Sequence, residues 1–375
     1  MSKALLVFQG GGALGAYQCG AYKAIAVYLR RAGIEVAGIA GASIGALNSA
    51  VVARHLGDAD GGAGALEAFW REDLATPPQP FFPFPGCYPH CWNSLLSMLL
   101  TGNPGLCAPN YLAWSPWGMA WRARAALHDT GPMLRLLEKR VGSFGPNPGG
   151  YPLLLVRAVN AATQQPAVFH SWQGDGVTAR HVVASSSVPV LYPLTDIDGQ
   201  SYWDGDVLPH SPLRELLRVL RSRPGPEREI GDYLVIVVDT ICGEGRKPDS
   251  GLDLLFQVQA ALLAPRADSD EEYAAINNRY LDFLTECTAA TTERTASDLE
   301  RRVAREKEGA LEDGLCRLNV IRIARAQALP YEYVSRDLDY SPQRINRLIE
   351  QGEQHAQQVL ASRGDLATQG VALPP

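Results

Sequence analysis

Two glycine-rich strand-to-helix turns fill the first 55 residues, and they narrow the fold more than any other feature of the chain. Residues 4–8, Ala-Leu-Leu-Val-Phe, are continuously apolar and read as a short buried strand. Gly10-Gly11-Gly12-Ala13-Leu14-Gly15 breaks that strand. Ala16 to Arg31 has helical composition, and Gly33 ends it. Residues 35–40 read as a second strand, followed at once by Gly41-Ala42-Ser43-Ile44-Gly45 and a small-residue helix from Ala46 to His55. Strand, loop, helix, strand, turn, helix is the pattern of a layered α/β sheet.

The rest of the chain continues in that style. Strands are expected at 153–159, 167–171, 233–238 and 320–324, and helices at 65–74, 94–100, 131–141, 179–187 and about 343–360. Residues 260–312 mix both charge signs with Ala and Leu and read as solvated helices. With 375 residues the chain can bury a full core without metal or disulfide staples. A net charge of −6 argues against a nucleic-acid partner, which needs a basic footprint. No segment approaches the ~20 continuous apolar residues of a membrane span. The apolar run at 4–8 is too short for a signal-peptide core. Seven cysteines, an odd and scattered set, point to reduced thiols and a cytoplasmic protein. Cys87-Tyr-Pro-His90-Cys91 has metal-ligand residue types but no distant second pair, so no metal site is expected there.

Chemistry concentrates at the glycine turns. Gly10–Gly15 satisfies G-x-G-x-x-G, which a dinucleotide site would use together with an acidic residue at the end of the second strand. Glu35 stands at the start of that strand instead. Gly41-x-Ser43-x-Gly45 is the nucleophile-elbow pattern, with a serine on a tight strand-to-helix turn and glycines where side chains would clash. The helix that follows points its positive end at Ser43. Ser43 follows a single strand and helix, too early for an ordinary α/β-hydrolase, and none of the seven histidines has the context of a catalytic base. Tyr202-Trp203-Asp204-Gly205-Asp206 offers a carboxylate in a glycine-containing turn after Ile197-Asp198-Gly199. Asp204 is either a general base for Ser43 or the Asx residue of a hairpin turn.

Gly10-Gly11-Gly12-x-x-Gly15, Gly41-x-Ser43-x-Gly45 and Asp204-Gly205 occur in the order and spacing of the patatin-like phospholipases, which this sequence resembles. Ala184-Ser185-Ser186-Ser187-Val188-Pro189 and Leu191-Tyr192-Pro193 resemble that family's segment ahead of its catalytic aspartate. The resemblance covers residues 4 to about 215 and continues more loosely beyond, as in bacterial members with an added C-terminal region. It implies a three-layer α/β/α fold with a central, mostly parallel sheet. It also implies a Ser–Asp dyad without histidine: Ser43 as nucleophile, Asp204 as base, and the N–H groups of Gly10, Gly11 and Gly12 as the oxyanion hole. Gly15, Gly41, Gly45 and Gly205 would support these motifs. Neither a metal nor another cofactor enters that scheme. The sequence departs from the family at two positions. Leu14 stands where a cation is common, and Asp206 where Gly or Ala is usual.

Residues 4–215 would then form the acyl-hydrolase domain, with 74–130 as an inserted lid. Residues 216–363 would form a C-terminal α/β extension packed on the same domain, and 364–375 a tail. From Leu74 to Trp121 there is no Asp, Glu, Lys or Arg, and this stretch holds nine prolines and four of the seven tryptophans. Trp92, Trp114, Trp117 and Trp121, with Phe81, Phe82 and Phe84, suit a lid, an acyl pocket or peripheral membrane contact. A buried loop or a dimer contact would use the same composition. The leading expectation is a serine hydrolase acting on a lipid or other acyl ester. The alternatives are a nucleotide-binding oxidoreductase using Gly10–Gly15, and a non-catalytic lipid-binding protein of the same fold.

Overall fold

The computed structural model describes residues 3–113, 126–145, 152–208, 210–222, 232–240, 266–289, 316–325 and 337–368, with Leu254 and Ser335. The main sheet is built from β1 (Lys3–Phe8), β2 (Val36–Gly41), β3 (Leu153–Asn160), β4 (Pro166–His170), β5 (Thr195–Ile197), β6 (Gln200–Asp204), β7 (Tyr233–Asp239) and β8 (Leu318–Ala324). Its order is β8-β7-β1-β2-β3-β6-β5, with β4 also paired to β3. The run from β8 to β3 is parallel, whereas β4, β5 and β6 join antiparallel. Helices are α1 (Gly15–Ala32), α2 (Ile44–His55), α3 (Ala63–Ala68), α4 (Cys87–Thr101), α5 (Gly131–Arg140), α6 (Ala179–Ser185), α7 (Leu213–Arg221), α8 (Arg266–Ala289) and α9 (Pro342–Thr368).

The continuous apolar runs follow from burial on both faces. Leu6, Phe8, Ile39, Leu154, Val156, Ile236 and Val238 pack with α1, α2 and α9 on one face. Leu5, Val7, Ala40, Leu153, Leu155, Val235 and Val237 pack with α7 and α8 on the other. The result is a three-layer α/β/α architecture.

Several boundaries differ from the sequence expectation. The helix expected at 65–74 ends at Ala68, and the chain goes on through a wide π turn at Phe69–Leu74. The helix expected at 94–100 begins earlier, at Cys87, because Pro89 falls in its first turn, where no intrahelical N–H is needed. The β5–β6 hairpin turns on Asp198 (φ 50°) and Gly199 (φ 77°), the double positive φ of a type I′ turn. Most of the region expected as solvated helices lies outside the described residues; α8 is its described part.

β3 has one edge shared by two strands. β4 pairs with Leu155–Val159 along one side. On the other side Gly41 of β2 pairs with Val156, and Asp204 of β6 pairs with Ala158. The ends of β2 and β6 thus meet two residues apart on a single strand.

Arg157, between those two positions, is fully buried on the opposite face, with a guanidinium nitrogen 3.7 Å from Glu215 Oε1. Burial alone would raise the Glu215 pKa, but His210 and Arg157 hold it below its ordinary value. Asp270 of α8 lies in the same layer. Burial pushes its carboxyl up to about 6, against the pull of Ser211, Arg214 and Arg157. Its proton is held more tightly in the folded chain than in the unfolded one. Stability is therefore lost as pH rises from the unfolded carboxyl range, roughly 4, towards the folded pKa of about 6. Asp270→Asn is expected to be more stable than wild type by on the order of 2 kcal/mol at pH 8 and about equal near pH 4. Urea denaturation at the two pH values checks this, and a gap that does not widen with pH would contradict it.

Candidate active site

β2 runs straight into Ser43, which is held at φ 55° and ψ −133°. That conformation is strained for a residue with a side chain, at a cost of about 1–3 kcal/mol. The flanking glycines make it possible by close approach. A Cβ on Gly41 would overlap the Gly45 carbonyl, and one on Gly45 would overlap the Phe8 carbonyl. The Ser43 N–H donates to both the carbonyl and the Oγ of Ser185, each at 3.1 Å. α2 begins at Ile44, immediately after the serine, so its positive end faces the site.

Asp204 ends β6 and is 2% exposed; Ser43 is 8% exposed. The Ser43 hydroxyl donates to Asp204 Oδ2 at 2.7 Å. Oδ1 of Asp204 accepts the Asp206 N–H at 2.6 Å. One short segment joins both ends of this pair. Ser185 binds the Ser43 N–H and donates its hydroxyl to the Arg157 carbonyl at 2.7 Å. Ser186 donates to the Ser43 carbonyl at 3.0 Å, and the Ser187 carbonyl accepts the Asp204 N–H at 3.0 Å. Gly205 is needed where it stands, because a Cβ there would overlap the Arg157 carbonyl. Among the described residues, no histidine hydrogen-bonds to Ser43. His55, His90, His128, His181, His210 and His355 are engaged elsewhere.

The glycine loop runs from Gly10 through a 3-10 turn at Gly12–Leu14 into α1. Three remote groups clamp it. Gly10 N–H donates to Asp206 Oδ1 at 3.2 Å. Thr240, just past β7, donates its hydroxyl to the Gly10 carbonyl. The Asp337 carbonyl accepts the Ala13 N–H at 2.8 Å. The three amides expected to act together are thus not equivalent. Gly10 is committed to Asp206, while the N–H groups of Gly11 and Gly12 have no acceptor among the described residues.

A buried amide network fixes this loop against the elbow helix. Trp70 Nε1–H donates to Asn48 Oδ1 at 2.9 Å, and Asn48 Nδ2 donates to Gln18 Oε1 at 2.7 Å and to the Gly15 carbonyl at 3.1 Å. Gln18 in turn donates to the Gln9 carbonyl. Sequence reasoning missed Asn48, Gln18, Thr240 and Asp337. Polar residues inside otherwise apolar helices were the one available signal, and it applies to Asn48 and Gln18 only. Asn48→Leu strands a buried Trp70 donor and the Gln18 acceptor. It is expected to cost about 2–3 kcal/mol by urea denaturation.

Trp92 is half-buried on α4, and Trp114, Trp117 and Trp121 lie outside the described residues. Phe81, Phe82, Phe84, Tyr111 and Leu112 are exposed, Phe84 by 70% and Leu112 by 80%. Among the described residues no helix is long and apolar enough to cross a membrane. Cys87, His90 and Cys91 line one cleft with Asp339 and Arg344. His90 is turned to Asp339, whose carboxylate lies 3.5 Å away and raises its pKa. No group of three His, Cys, Asp or Glu side chains among the described residues is placed to hold a metal.

The strained Ser43 and the buried Asp204 thus meet past the end of β2, an inner strand of the parallel part of the sheet. A family model for patatin-like phospholipases matches residues 6–217, more than half of the chain. The chain belongs to the patatin-like phospholipase family, a family of lipid acyl hydrolases. Among solved structures, VipD from Legionella pneumophila is similar at 15% identity, over 96% of this chain and 67% of that one, with a TM-score of 0.35. A comparison with curated protein sequences gives no match.

Proposed function

We propose that the protein hydrolyses lipid acyl esters of the phospholipase A or lysophospholipase type, with Ser43 as nucleophile and Asp204 as its general base. The observation that carries this is the 2.7 Å hydrogen bond from a strained Ser43 to a carboxylate. Ser43 Oγ attacks the ester carbonyl carbon while its proton passes to Asp204. Charge then develops on the carbonyl oxygen. Loop amides, those of Gly11 and Gly12 above all, and the start of α2 stabilise it. The tetrahedral intermediate collapses, and the alcohol leaves with the proton from Asp204. Water, deprotonated by Asp204, then cleaves the acyl-serine and restores Ser43. This chemistry calls for no cofactor.

Labelling with a fluorophosphonate tests the reading. Wild type is expected to take up the probe at Ser43 and Ser43→Ala to take up none. Equal labelling of the two would sink it.

The proposal also includes an acyl-hydrolase domain at 4–215, a lid at 74–130, a cytoplasmic location and peripheral contact with lipid through 74–121. The exposed Phe81, Phe82 and Phe84 support that contact. With a net charge of −6, the contact would be hydrophobic and local. Phe84→Ser is expected to weaken sedimentation with phosphatidylcholine vesicles without slowing hydrolysis of a short soluble ester. Equal sedimentation of the variant and wild type would exclude Phe84 from the contact.

A further inference from the structure

We infer that Val190 is a specificity determinant: with Val188 and Val207 it grips the acyl tail of an ester bound at Ser43 and favours medium and long acyl chains over short ones. This rests on the Ser43–Asp204 reading and adds to it the residues that read the acyl chain.

The three valines stand on the two segments that hold Asp204. Val188 follows Ser187, whose carbonyl accepts the Asp204 N–H. Val207 ends the 3-10 turn Gly205–Val207, which starts one residue past Asp204. Val190 lies three residues past Ser187, so no more than about 11 Å from it along the chain. All three side chains are exposed, Val190 by 73%. The rim beside the Ser43–Asp204 pair is therefore apolar. The turn that carries Val190 is closed at both ends. The Tyr192 N–H donates to the Val188 carbonyl at 2.9 Å, and the Tyr192 side chain is buried beneath. From the other side, the Leu127 N–H donates to the Val190 carbonyl at 3.1 Å and the His128 N–H to the Leu191 carbonyl at 3.0 Å.

Those bonds hold Val190 at φ 74°. A β-branched residue is strained there, where glycine or asparagine would fit. Burial does not offset the strain, because most of the side chain stays in water. Backbone geometry and packing both favour another residue at this position. A strained side chain kept beside a reactive group points to a role toward a ligand. The acyl group on Ser43 is that ligand. Its first carbons lie at the serine, and its tail leaves the site across the valine rim. A long tail takes apolar surface of the rim out of water, whereas a short one ends before reaching it.

The test compares p-nitrophenyl octanoate with p-nitrophenyl butyrate, both at concentrations where they stay monomeric. The two share a leaving group, so the ratio of their kcat/KM values reads the acyl side alone. Val190→Gly and Val190→Asn each relieve the backbone strain and remove the apolar contact. Both variants are expected to melt no lower than wild type, and the octanoate-to-butyrate ratio is expected to fall roughly three- to tenfold. A merely structural role would slow both esters alike. Ser43-dependent turnover with an unchanged ratio therefore overturns this inference alone. Weaker sedimentation with phosphatidylcholine vesicles at an unchanged ratio does the same, and assigns Val190 to the membrane surface instead. Variants that melt lower would show that the fold itself uses the side chain, which also counts against the inference. Turnover that survives Ser43→Ala, or no turnover of either ester, overturns the parent reading and this inference with it.

Discussion

Ser43→Ala is expected to lower the turnover of acyl esters by on the order of 10⁴- to 10⁶-fold, to the level left by binding and oxyanion contacts alone. Asp204→Asn is expected to cost about 10²- to 10⁴-fold, the range of a general base. The two losses should not add. Among the described residues the side-chain partner of Ser43 Oγ is Asp204 Oδ2, so a nucleophile and base at these two positions would act as one unit. A Ser43→Ala/Asp204→Asn double variant should be no slower than Ser43→Ala. Steady-state kinetics on p-nitrophenyl butyrate measures all three. Losses that multiply would mean that Asp204 serves something other than Ser43. Asp204→Asn keeps an oxygen that can accept from the Asp206 N–H, so the loss reports basicity rather than collapse of the turn.

The second large effect concerns α9, far from the chemistry in sequence. It packs along α1 through two glycines. A Cβ on Gly20 would overlap the Ile349 carbonyl, and one on Gly352 would overlap the Tyr17 carbonyl. Tyr17 Oη and His355 Nδ1, 2.6 Å apart, and the Lys23–Glu353 pair at 2.9 Å fix the crossing. Gly20→Ala is expected to destabilise the protein by about 3 kcal/mol or more, because backbone must move to admit the methyl group. The sign is diagnostic. In a helix without that neighbour the same change would stabilise by roughly 0.5–1 kcal/mol. Gly57→Ala, where a Cβ meets nothing within 4 Å, serves as the control and is expected to stay within about 0.5 kcal/mol of wild type. Urea denaturation of both variants decides. A Gly20→Ala protein as stable as the control would contradict the helix crossing.

α9 also bears on the site. The segment leading into it carries Asp337, whose carbonyl holds Ala13 in the glycine loop. Tyr340 stacks on Trp70 with ring centroids 6.3 Å apart, and Trp70 binds Asn48 of the elbow helix. The C-terminal region is thus part of what shapes the loop.

Some of this was written in local sequence. The strands at 4–8 and 233–238 were legible because a strand buried on both faces must be apolar throughout. The elbow at Gly41–Gly45 was legible because a serine at positive φ needs small neighbours within two residues. Both are short-range steric demands, and so the α/β class and Ser43 as a candidate followed from the chain alone. Asp204 was legible only as one of two possibilities. Its local sequence is equally that of an Asx turn, and that bond is in fact there, from the Asp206 N–H to Asp204 Oδ1, while the hairpin itself turns earlier, at Asp198-Gly199.

Only the tertiary structure brought the pair together. Ser43 and Asp204 are 161 residues apart and meet because β2 and β6 share one edge of β3. The same holds for the clamps on the glycine loop. Asp206 and Thr240 reach Gly10 across 196 and 230 residues, and no local pattern encodes such contacts. That is why the family resemblance implied three amides acting alike, while the fold commits the first of them to a carboxylate. Local sterics determined which turns could form, and strand pairing and helix packing decided what each turn faces.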